Sequence, residues 1–507
     1  MISNEVNSMK FLKDILAHMD WKEKTGSEYI AVQDVTADSR TVGEGSLFIC
    51  LRGAHSDGHD FAAQAVRSGA SVIVADRPVT VPEETAVVYV KDTRTAMEQL
   101  TPYFFDYPSR KMRMIAVTGT NGKTTTTHIA AHILRKMGYK TGVIGTVHML
   151  IDDEVFPTHN TTPDVVDLQK MLQRMVSEGV THVCMEVSSH ALVMGRVAGC
   201  EFDTAVFTNL TEDHLDFHKT MDNYARAKSI LFSMVSSEGQ HKKGKHAVIN
   251  ADDPYAPVME NAVGDTALCP VSTYGIRETA DLRAEDIRFT GKSSSFSIEE
   301  GNRTWPVRTR MAGRFNVYNT LASIGAAQAE GVPMDVILEG LADFTAVPGR
   351  FELIDEGQSF SVVVDYAHTP DGLENILKTA REITKGRVIA VFGCGGDRDK
   401  MKRPIMGRIA ASYGDLVIVT SDNPRTEDPD VIVKEVAAGV IEKAKEKPEL
   451  EYRIIADRRS AIRSAIGEAR PGDIVLIAGK GHENYQILKD RTIHFDDREE
   501  ARAALKG

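Results

Sequence analysis

A glycine loop, Gly119-Thr120-Asn121-Gly122-Lys123-Thr124-Thr125, lies between an apolar run, Met114-Ile115-Ala116-Val117, and a segment with Ile129, Ile133, Leu134 and Met137 along one helical side, stopped by Gly138. A strand, a turn of small residues and a helix in that order leave backbone N–H groups free to wrap an anion at a helix N-terminus, where the helix dipole favours negative charge. Lys123 then reaches terminal phosphates and Thr124 can ligate magnesium, so the expected ligand is Mg-ATP. The usual eight-residue spacing would put its first glycine at Val117, so the loop is a variant. Outside that context it would read as a glycine turn that happens to carry Lys-Thr.

Short Val- and Ile-rich runs alternate with longer segments of helical period along the whole chain, which predicts an α/β architecture of parallel sheets covered by helices. A chain of 507 residues is too long for one core, and about three domains are expected. Proline and charge interrupt the periodic segments at Tyr107-Pro108-Ser109-Arg110-Lys111 and again at Thr345-Ala346-Val347-Pro348-Gly349-Arg350. The resulting division is 1–108, 109–347 and 348–507. The first part carries a strand at Leu47 to Leu51, a Gly/His/Asp loop, a helix from Phe61 to Val66 and a strand at Val72 to Ala75. The last carries Val388 to Phe392, Leu416 to Val419 and Ile474 to Ile477, a spacing that suits a Rossmann-like sheet with its functional loops at the strand ends. Gly393-Cys394-Gly395-Gly396-Asp397 lacks the dinucleotide-binding spacing, so no such cofactor is indicated.

A net charge of -12 argues against a broad basic face for nucleic acid or an anionic membrane. Five cysteines stand far apart with no C-x-x-C, which suggests neither a zinc ribbon nor a disulfide framework. Met1 to Asp20 mixes charged and apolar residues with no long uncharged segment, so neither a signal peptide nor a membrane span is expected, and the cytoplasm is the expected compartment. Met9 precedes a helix-like Phe11-Leu12-Ile15-Leu16 and competes with Met1 as the start. A monomer is expected.

Val183-Cys184-Met185-Glu186-Val187 reads as a buried strand closing on Glu186, where a carboxylate can hold magnesium and an unpaired one would be costly. In Thr211-Glu212-Asp213-His214-Leu215-Asp216-Phe217-His218 the two histidines are four apart, which would put both on one helical face as a zinc pair. That site needs further ligands, and the nearby phosphate loop favours magnesium.

The glycine loop, Met185-Glu186-Val187-Ser188-Ser189-His190, Thr211-Glu212-Asp213-His214-Leu215-Asp216 and Gly313-Arg314-Phe315-Asn316-Val317-Tyr318-Asn319 occur in the order found in the Mur ligase superfamily, and the resemblance covers nearly the whole chain. It implies an N-terminal domain for a uridine nucleotide, a central ATPase domain and a C-terminal domain that brings an amino acid. It implies that Glu186 and His214 approach magnesium, that Asn319 lies near adenine, and that Arg350 and Asp365 complete the nucleotide site. Lys228 matches a lysine that the family carbamylates to N6-carboxylysine, an anion able to serve magnesium. From the residues alone Lys228 is an ordinary surface lysine, and carbamylation requires surroundings that lower its pKa from about 10.4.

Within the superfamily the chain resembles the branch that extends UDP-MurNAc-L-Ala-D-Glu. Ser39, in Asp38-Ser39-Arg40, looks like a contact on the uridine side; Asn160, Thr161 and Thr162 offer an amide and hydroxyls to the sugar-peptide; Ser188 and Arg196 are further candidates, the guanidinium being able to grip a carboxylate or phosphate bidentately. Asp422-Asn423-Pro424-Arg425 and Arg398 resemble the meso-diaminopimelate-adding members. Diaminopimelate is in effect lysine with a further carboxylate at its far end, and Arg425 is the residue assigned to that choice. Gly479 and Glu483, in Gly479-Lys480-Gly481-His482-Glu483, are expected to offer a carbonyl and a carboxylate to the acceptor. The implied reaction forms an acyl phosphate on the D-Glu γ-carboxylate, with ADP released, and then an amide. An L-lysine-adding or folylpolyglutamate-type ligase, a P-loop nucleotide switch and a zinc hydrolase centred on His214 and His218 remain as alternatives.

Overall fold

The computed structural model describes residues 9–53, 56–156, 160–264, 266–290 and 292–507. Met1, one of the two candidate starts, and His55, in the loop after Leu51, lie outside them. Among the described residues three large sheets, each flanked by helices, make the architecture α/β.

The first sheet runs Glu23–Lys24, Ala86–Tyr89, Ala70–Ala75, Ser46–Ile49, Asp34–Thr36, parallel except for the first pair. Its continuous apolar runs have a simple cause: Val72 and Val74 pack into one core while Ile73 and Ala75 pack into another. A strand covered on both faces has no polar side to display.

The central sheet has eleven strands, in the order Glu154–Phe156, Met149–Ile151, Thr141–Ile144, His182–Glu186, Arg113–Thr118, Thr204–Phe207, His246–Asn250, Val271–Gly275, Leu282–Thr290, Ser293–Glu300, Arg303–Thr309. From Thr141–Ile144 to Leu282–Thr290 neighbours are parallel, and an antiparallel piece closes each end. The same two-sided burial recurs: Met114 and Ala116 face one core, Ile115 and Val117 the other. Register sets Glu186 beside Val117 and Phe207 beside Thr118, so the carboxyl ends of three adjacent strands open on one edge.

The third sheet runs Glu352–Ile354, Ser361–Asp365, Ile474–Ala478, Val388–Phe392, Leu416–Val419, Glu451–Ile454, all parallel but the first pair. Asp365, Ala478, Phe392 and Val419 are register neighbours. The loops beginning at Tyr366, Gly479, Gly393 and Thr420 therefore leave from a common edge, where parallel sheets place ligands.

Two local expectations change. The helix expected from Phe61 is a 3-10 turn, Gly58–Phe61, followed by an α-helix, Ala62–Arg67. His214 and His218 do not share a helical face: the helix is Leu215–His218, and His214 precedes it with φ of 56°.

Candidate active site

A cleft of about 920 Å³ lies along the open edge of the central sheet and is lined by that sheet's loops and by the C-terminal unit. The phosphate loop forms its floor. Gly122 has φ of 85°, and a Cβ there would stand 2.3 Å from Asn319 Oδ1. A Cβ on Gly119 would stand 1.8 Å from Thr208 Oγ1. Both glycines are therefore required by close approach of other chain segments. Neighbouring loops hold the turn open: Thr120 N donates to Asn209 O at 2.8 Å, Asn121 N to Asn209 Oδ1 at 3.0 Å, and Thr208 Oγ1 to Asn121 O at 2.7 Å. Helix Lys123–Lys136 starts at the loop, with Thr124 and Thr125 buried in its first turn.

Lys123 Nζ donates to the carbonyls of Gly119 and Thr120 at 2.9 and 2.8 Å, folding the ammonium back over the turn. Desolvation lowers its pKa, while Glu186 and Asp213 pull it up and Arg350 adds a smaller downward push. Glu186 is 1% exposed. Its carboxylate accepts from Thr146 N at 2.8 Å and Thr146 Oγ1 at 3.1 Å, and no ion-pair partner within 4 Å is found for it among the described residues. Lys228 is buried beneath the loop, its Nζ donating to Gly119 O at 2.8 Å and standing 4.5 Å from the centre of the Tyr224 ring. Desolvation, reinforced by Lys123, puts its pKa well below the ordinary lysine value. This is not the surface lysine suggested by the bare sequence.

His214 lines the cleft, its backbone N–H donating to Asp213 Oδ1 at 2.8 Å, and burial lowers its pKa. His218 turns elsewhere: its ring lies against Tyr224 and its Nε2 is 2.9 Å from Ser189 Oγ. The four-residue spacing therefore does not make a metal pair. Among the described residues no group of three or more His, Cys, Asp or Glu side chains is arranged to hold a metal by themselves.

The Asn160 to Thr162 turn runs into the same cleft. Thr162 Oγ1 donates to Glu186 O at 2.9 Å and accepts from Ser188 N at 3.1 Å, and Thr161 Oγ1 is 3.0 Å from Thr146 Oγ1. Arg196 Nη1 donates to Thr162 O at 3.2 Å, and its buried Nε has no hydrogen-bond partner among the described residues. Asn160 is exposed. Ser39 does not line the cleft; it is half-buried in a turn where Asp38 Oδ1 accepts from Arg40 N at 2.9 Å.

On the opposite wall, Arg350 lies over the Tyr366 ring at 4.6 Å. Asp365 accepts from Phe351 N and Ala367 N, each at 2.7 Å, and burial raises its pKa. Asn319 lines the cleft and packs beneath Gly122. Beyond this wall the acceptor candidates form a second cluster. Asn423 Nδ2 donates to Glu483 Oε2 at 2.8 Å, and Lys480 Nζ donates to Asn423 Oδ1 and Glu483 Oε2, each at 3.1 Å. A Cβ on Gly479 would be 2.5 Å from Asp422 Oδ2. Arg425 Nη1 donates to Gly396 O at 2.8 Å, and a Cβ on Gly395 would stand 2.7 Å from that nitrogen and 3.9 Å from Arg398 Cγ. The two arginines thus flank one glycine, Arg398 exposed and Arg425 half-buried, with Pro424 buried between the turn's ends.

Sequence reasoning assigned no role to Thr146, Thr208, Lys480 or Asp371. Asp371 Oδ2 accepts from Asn121 Nδ2 at 3.2 Å and Thr211 Oγ1 at 3.0 Å, tying the C-terminal unit to the phosphate loop. Only Lys480 carried a signal, its place inside the Gly479 to Glu483 motif; the others depend on chain segments meeting in space.

Comparison with known proteins gives three family matches: Mur ligase family, catalytic domain, over residues 31–104; Mur ligase middle domain, over 117–327; and Mur ligase, glutamate ligase domain, over 349–481. The chain is 49% identical over 501 residues to the UDP-N-acetylmuramoyl-L-alanyl-D-glutamate--2,6-diaminopimelate ligase of Geobacillus kaustophilus (strain HTA426), covering 98% of this chain and 99% of that one. It is 45% identical over 480 residues to the ligase of the same name from Listeria monocytogenes serotype 4b (strain F2365), with 95% of each covered. A solved structure of a ligase of that name superposes with a TM-score of 0.69 at 33% identity, over 98% of this chain and 99% of the other. The fold is also that of the UDP-N-acetylmuramoylalanyl-D-glutamyl-2,6-diaminopimelate--D-alanyl-D-alanyl ligase from Acinetobacter baumannii, with a TM-score of 0.64 at 19% identity over 94% and 96% of the two chains.

Proposed function

The chain belongs to the Mur ligase family, and from that membership we propose that it is the ATP-dependent ligase that joins meso-2,6-diaminopimelate to the D-Glu γ-carboxylate of UDP-MurNAc-L-Ala-D-Glu. The reading rests on one juxtaposition: a phosphate loop with Lys123 folded over it and the buried Lys228 beneath it, and a cluster of arginines and amides at the Asp422 to Arg425 turn, both lie where parallel strands of adjoining sheets end. It assigns residues 1–108 to the uridine nucleotide, 109–347 to ATP and 348–507 to the amino acid.

The loop amides and Lys123 would hold the terminal phosphates of ATP in line with the γ-carboxylate, with Asn319, Arg350 and Asp365 completing the nucleotide's surroundings. Ser39, Asn160, Thr161, Thr162, Ser188 and Arg196 would hold the uridine nucleotide substrate; the unpartnered Nε of Arg196 supports an anionic partner there. A magnesium ion fits the donor set of Thr124, Glu186, His214 and a carbamylated Lys228, because among the described residues Glu186 is a buried carboxylate with no cationic nitrogen within 4 Å and Lys228 a buried amine with no carboxylate within 4 Å. When bound, such an ion neutralises charge on the transferring phosphoryl group. Arg398, Asp422, Asn423, Pro424, Arg425, Gly479 and Glu483 would form the acceptor pocket. Two electron-pair transfers then follow. The γ-carboxylate takes the γ-phosphoryl group and ADP departs; the acceptor's amine adds to the acyl carbon and phosphate departs.

Phosphate release with ATP and UDP-MurNAc-L-Ala-D-Glu tests this directly. Release should require meso-diaminopimelate, match a new amide mole for mole, and be much slower with L-lysine. Turnover that ignores the acceptor would instead favour a nucleotide switch.

A further inference from the structure

His214 and His368 are the histidines that line the cleft, and they stand on different walls. His214 belongs to the wall of the phosphate loop. His368 lies in the loop between strand Ser361–Asp365 and helix Pro370–Ile383, on the unit that carries the acceptor cluster.

The local geometry of His368 fixes its tautomer. Its Nδ1 is 2.9 Å from Tyr366 O, and a carbonyl can only accept, so Nδ1 carries the hydrogen and Nε2 keeps its lone pair. The residue keeps an exposed edge where it lines the cleft, its ring 4.6 Å from the Tyr366 ring that Arg350 covers. From the other side Lys402 Nζ donates to His368 O at 2.9 Å, pinning the loop to helix Lys402–Tyr413, which follows the Arg398 turn. Among the groups that act on the ring, enclosure by the cleft walls, Lys402 and Arg350 push its pKa down, while the Tyr366 carbonyl and Asp422 push it up, and the net direction is down. Charges from both sides thus act on His368, Arg350 of the nucleotide side and Asp422 of the acceptor side.

Amide formation needs a base at this place. An aliphatic ammonium, with a pKa of about 10, has no lone pair with which to attack. We propose that His368 Nε2 takes the proton from the acceptor's ammonium, a role that rests on the ligase reading above. The transfer leaves an imidazolium and a neutral amine. The amine's lone pair forms the C–N bond at the acyl phosphate carbonyl, collapse of the tetrahedral adduct breaks the C–O bond to phosphate, and the nitrogen's second proton leaves with that phosphate. The imidazolium returns its proton to water in the cleft.

Hydroxylamine separates this role from a structural one, because it is a weak base already neutral near neutral pH and needs no proton removed to trap an acyl phosphate. Full-length His368→Gln, supplied with ATP and UDP-MurNAc-L-Ala-D-Glu, should lose roughly 10²-fold more rate with meso-diaminopimelate than with hydroxylamine. The deficit should shrink as pH rises toward the ammonium's own pKa. His368→Asn should behave alike, and hydroxamate formation by either variant reports an intact nucleotide site. Equal loss with both acceptors, no loss with either, or a deficit indifferent to pH would overturn the proposal. A wild-type enzyme that forms no hydroxamate would fault the ligase reading instead.

Discussion

The ammonium of Lys228 meets the carbonyl of Gly119 at 2.8 Å, across 109 positions of sequence, in a site where the lysine is 1% exposed. One carbonyl and the face of Tyr224 do not neutralise a buried charge, and Lys123 repels it. Burial and Lys123 lower the pKa of an amine so placed well below the ordinary lysine value, with Asp213 opposing, and so favour the neutral form that adds carbon dioxide. Intact-mass measurement after equilibration with isotopically labelled bicarbonate should show one labelled carboxyl, lost in Lys228→Ala. That variant should lose at least roughly 10²-fold in turnover and regain part of it with added short-chain carboxylate. An unmodified amine in fully active enzyme would reject the assignment.

Gly122→Ala should weaken nucleotide binding far more than it weakens the fold. The added methyl would lie 2.3 Å from Asn319 Oδ1, and the φ of 85° is one that alanine rarely adopts. The strain is about 1–3 kcal/mol, absorbed by a loop that moves off its position. Titration calorimetry with ATP should show that loss, with a melting temperature only slightly lowered. If the loss in the Gly122→Ala, Asn319→Ala double variant is smaller than the sum of the two single losses, the contact itself is responsible.

The phosphate loop was legible because a strand, a glycine turn and a Lys-Thr helix start are contiguous, and the parallel strands because Val388 to Phe392 or Leu416 to Val419 must be apolar on both faces. The antiparallel run Leu282–Thr290, Ser293–Glu300, Arg303–Thr309 went unread. In the middle strand burial alternates, with Ser294, Phe296 and Ile298 inward, Ser295 and Ser297 between them and Glu299 and Glu300 after, so its apolar residues never form a run. The pairing of His214 with His218 failed for another reason: a left-handed residue at His214 starts the helix one position too late for both to share a face. The latch from Asp371 to Asn121 joins residues 250 apart and had no local signature at all.

Acid should destabilise the protein before most carboxylates titrate. Burial pushes His128, His182 and His218 down to about 4 and His482 to about 3, while an unfolded histidine titrates near 6.5. Between those values the unfolded chain binds more protons than the native one, so stability falls as pH drops, by about 1.4 kcal/mol per pH unit for each such group. The loss starts near the unfolded value and ends as the native histidines protonate. Glu427, held down to about 2 by hydrogen bonding to Arg403, contributes stability that is present above the ordinary carboxylate range and lost only below it. Denaturant melts taken at pH 7 and pH 5 should therefore report the histidines. His182→Gln should flatten the slope by about one histidine's worth; an unchanged slope would place its charge outside the folding equilibrium.

Arg425 should decide between acceptors rather than bind nucleotide. One of its nitrogens is committed to Gly396 O at 2.8 Å, which aims the guanidinium while leaving donors for a carboxylate. Losing charge-assisted hydrogen bonds worth about 1.5–3 kcal/mol should raise the KM for meso-diaminopimelate roughly 10- to 10²-fold in Arg425→Ala. KM for ATP, and the slow rate with L-lysine, should stay where they were. Arg425→Lys keeps the charge but not the planar fork, so its loss should be nearly as large. Because Arg425 has φ of 53°, Arg425→Asn, which tolerates that backbone, separates strain from lost contact. A selectivity between the two acceptors that is the same in all three variants as in the wild type would remove Arg425 from the specificity pocket.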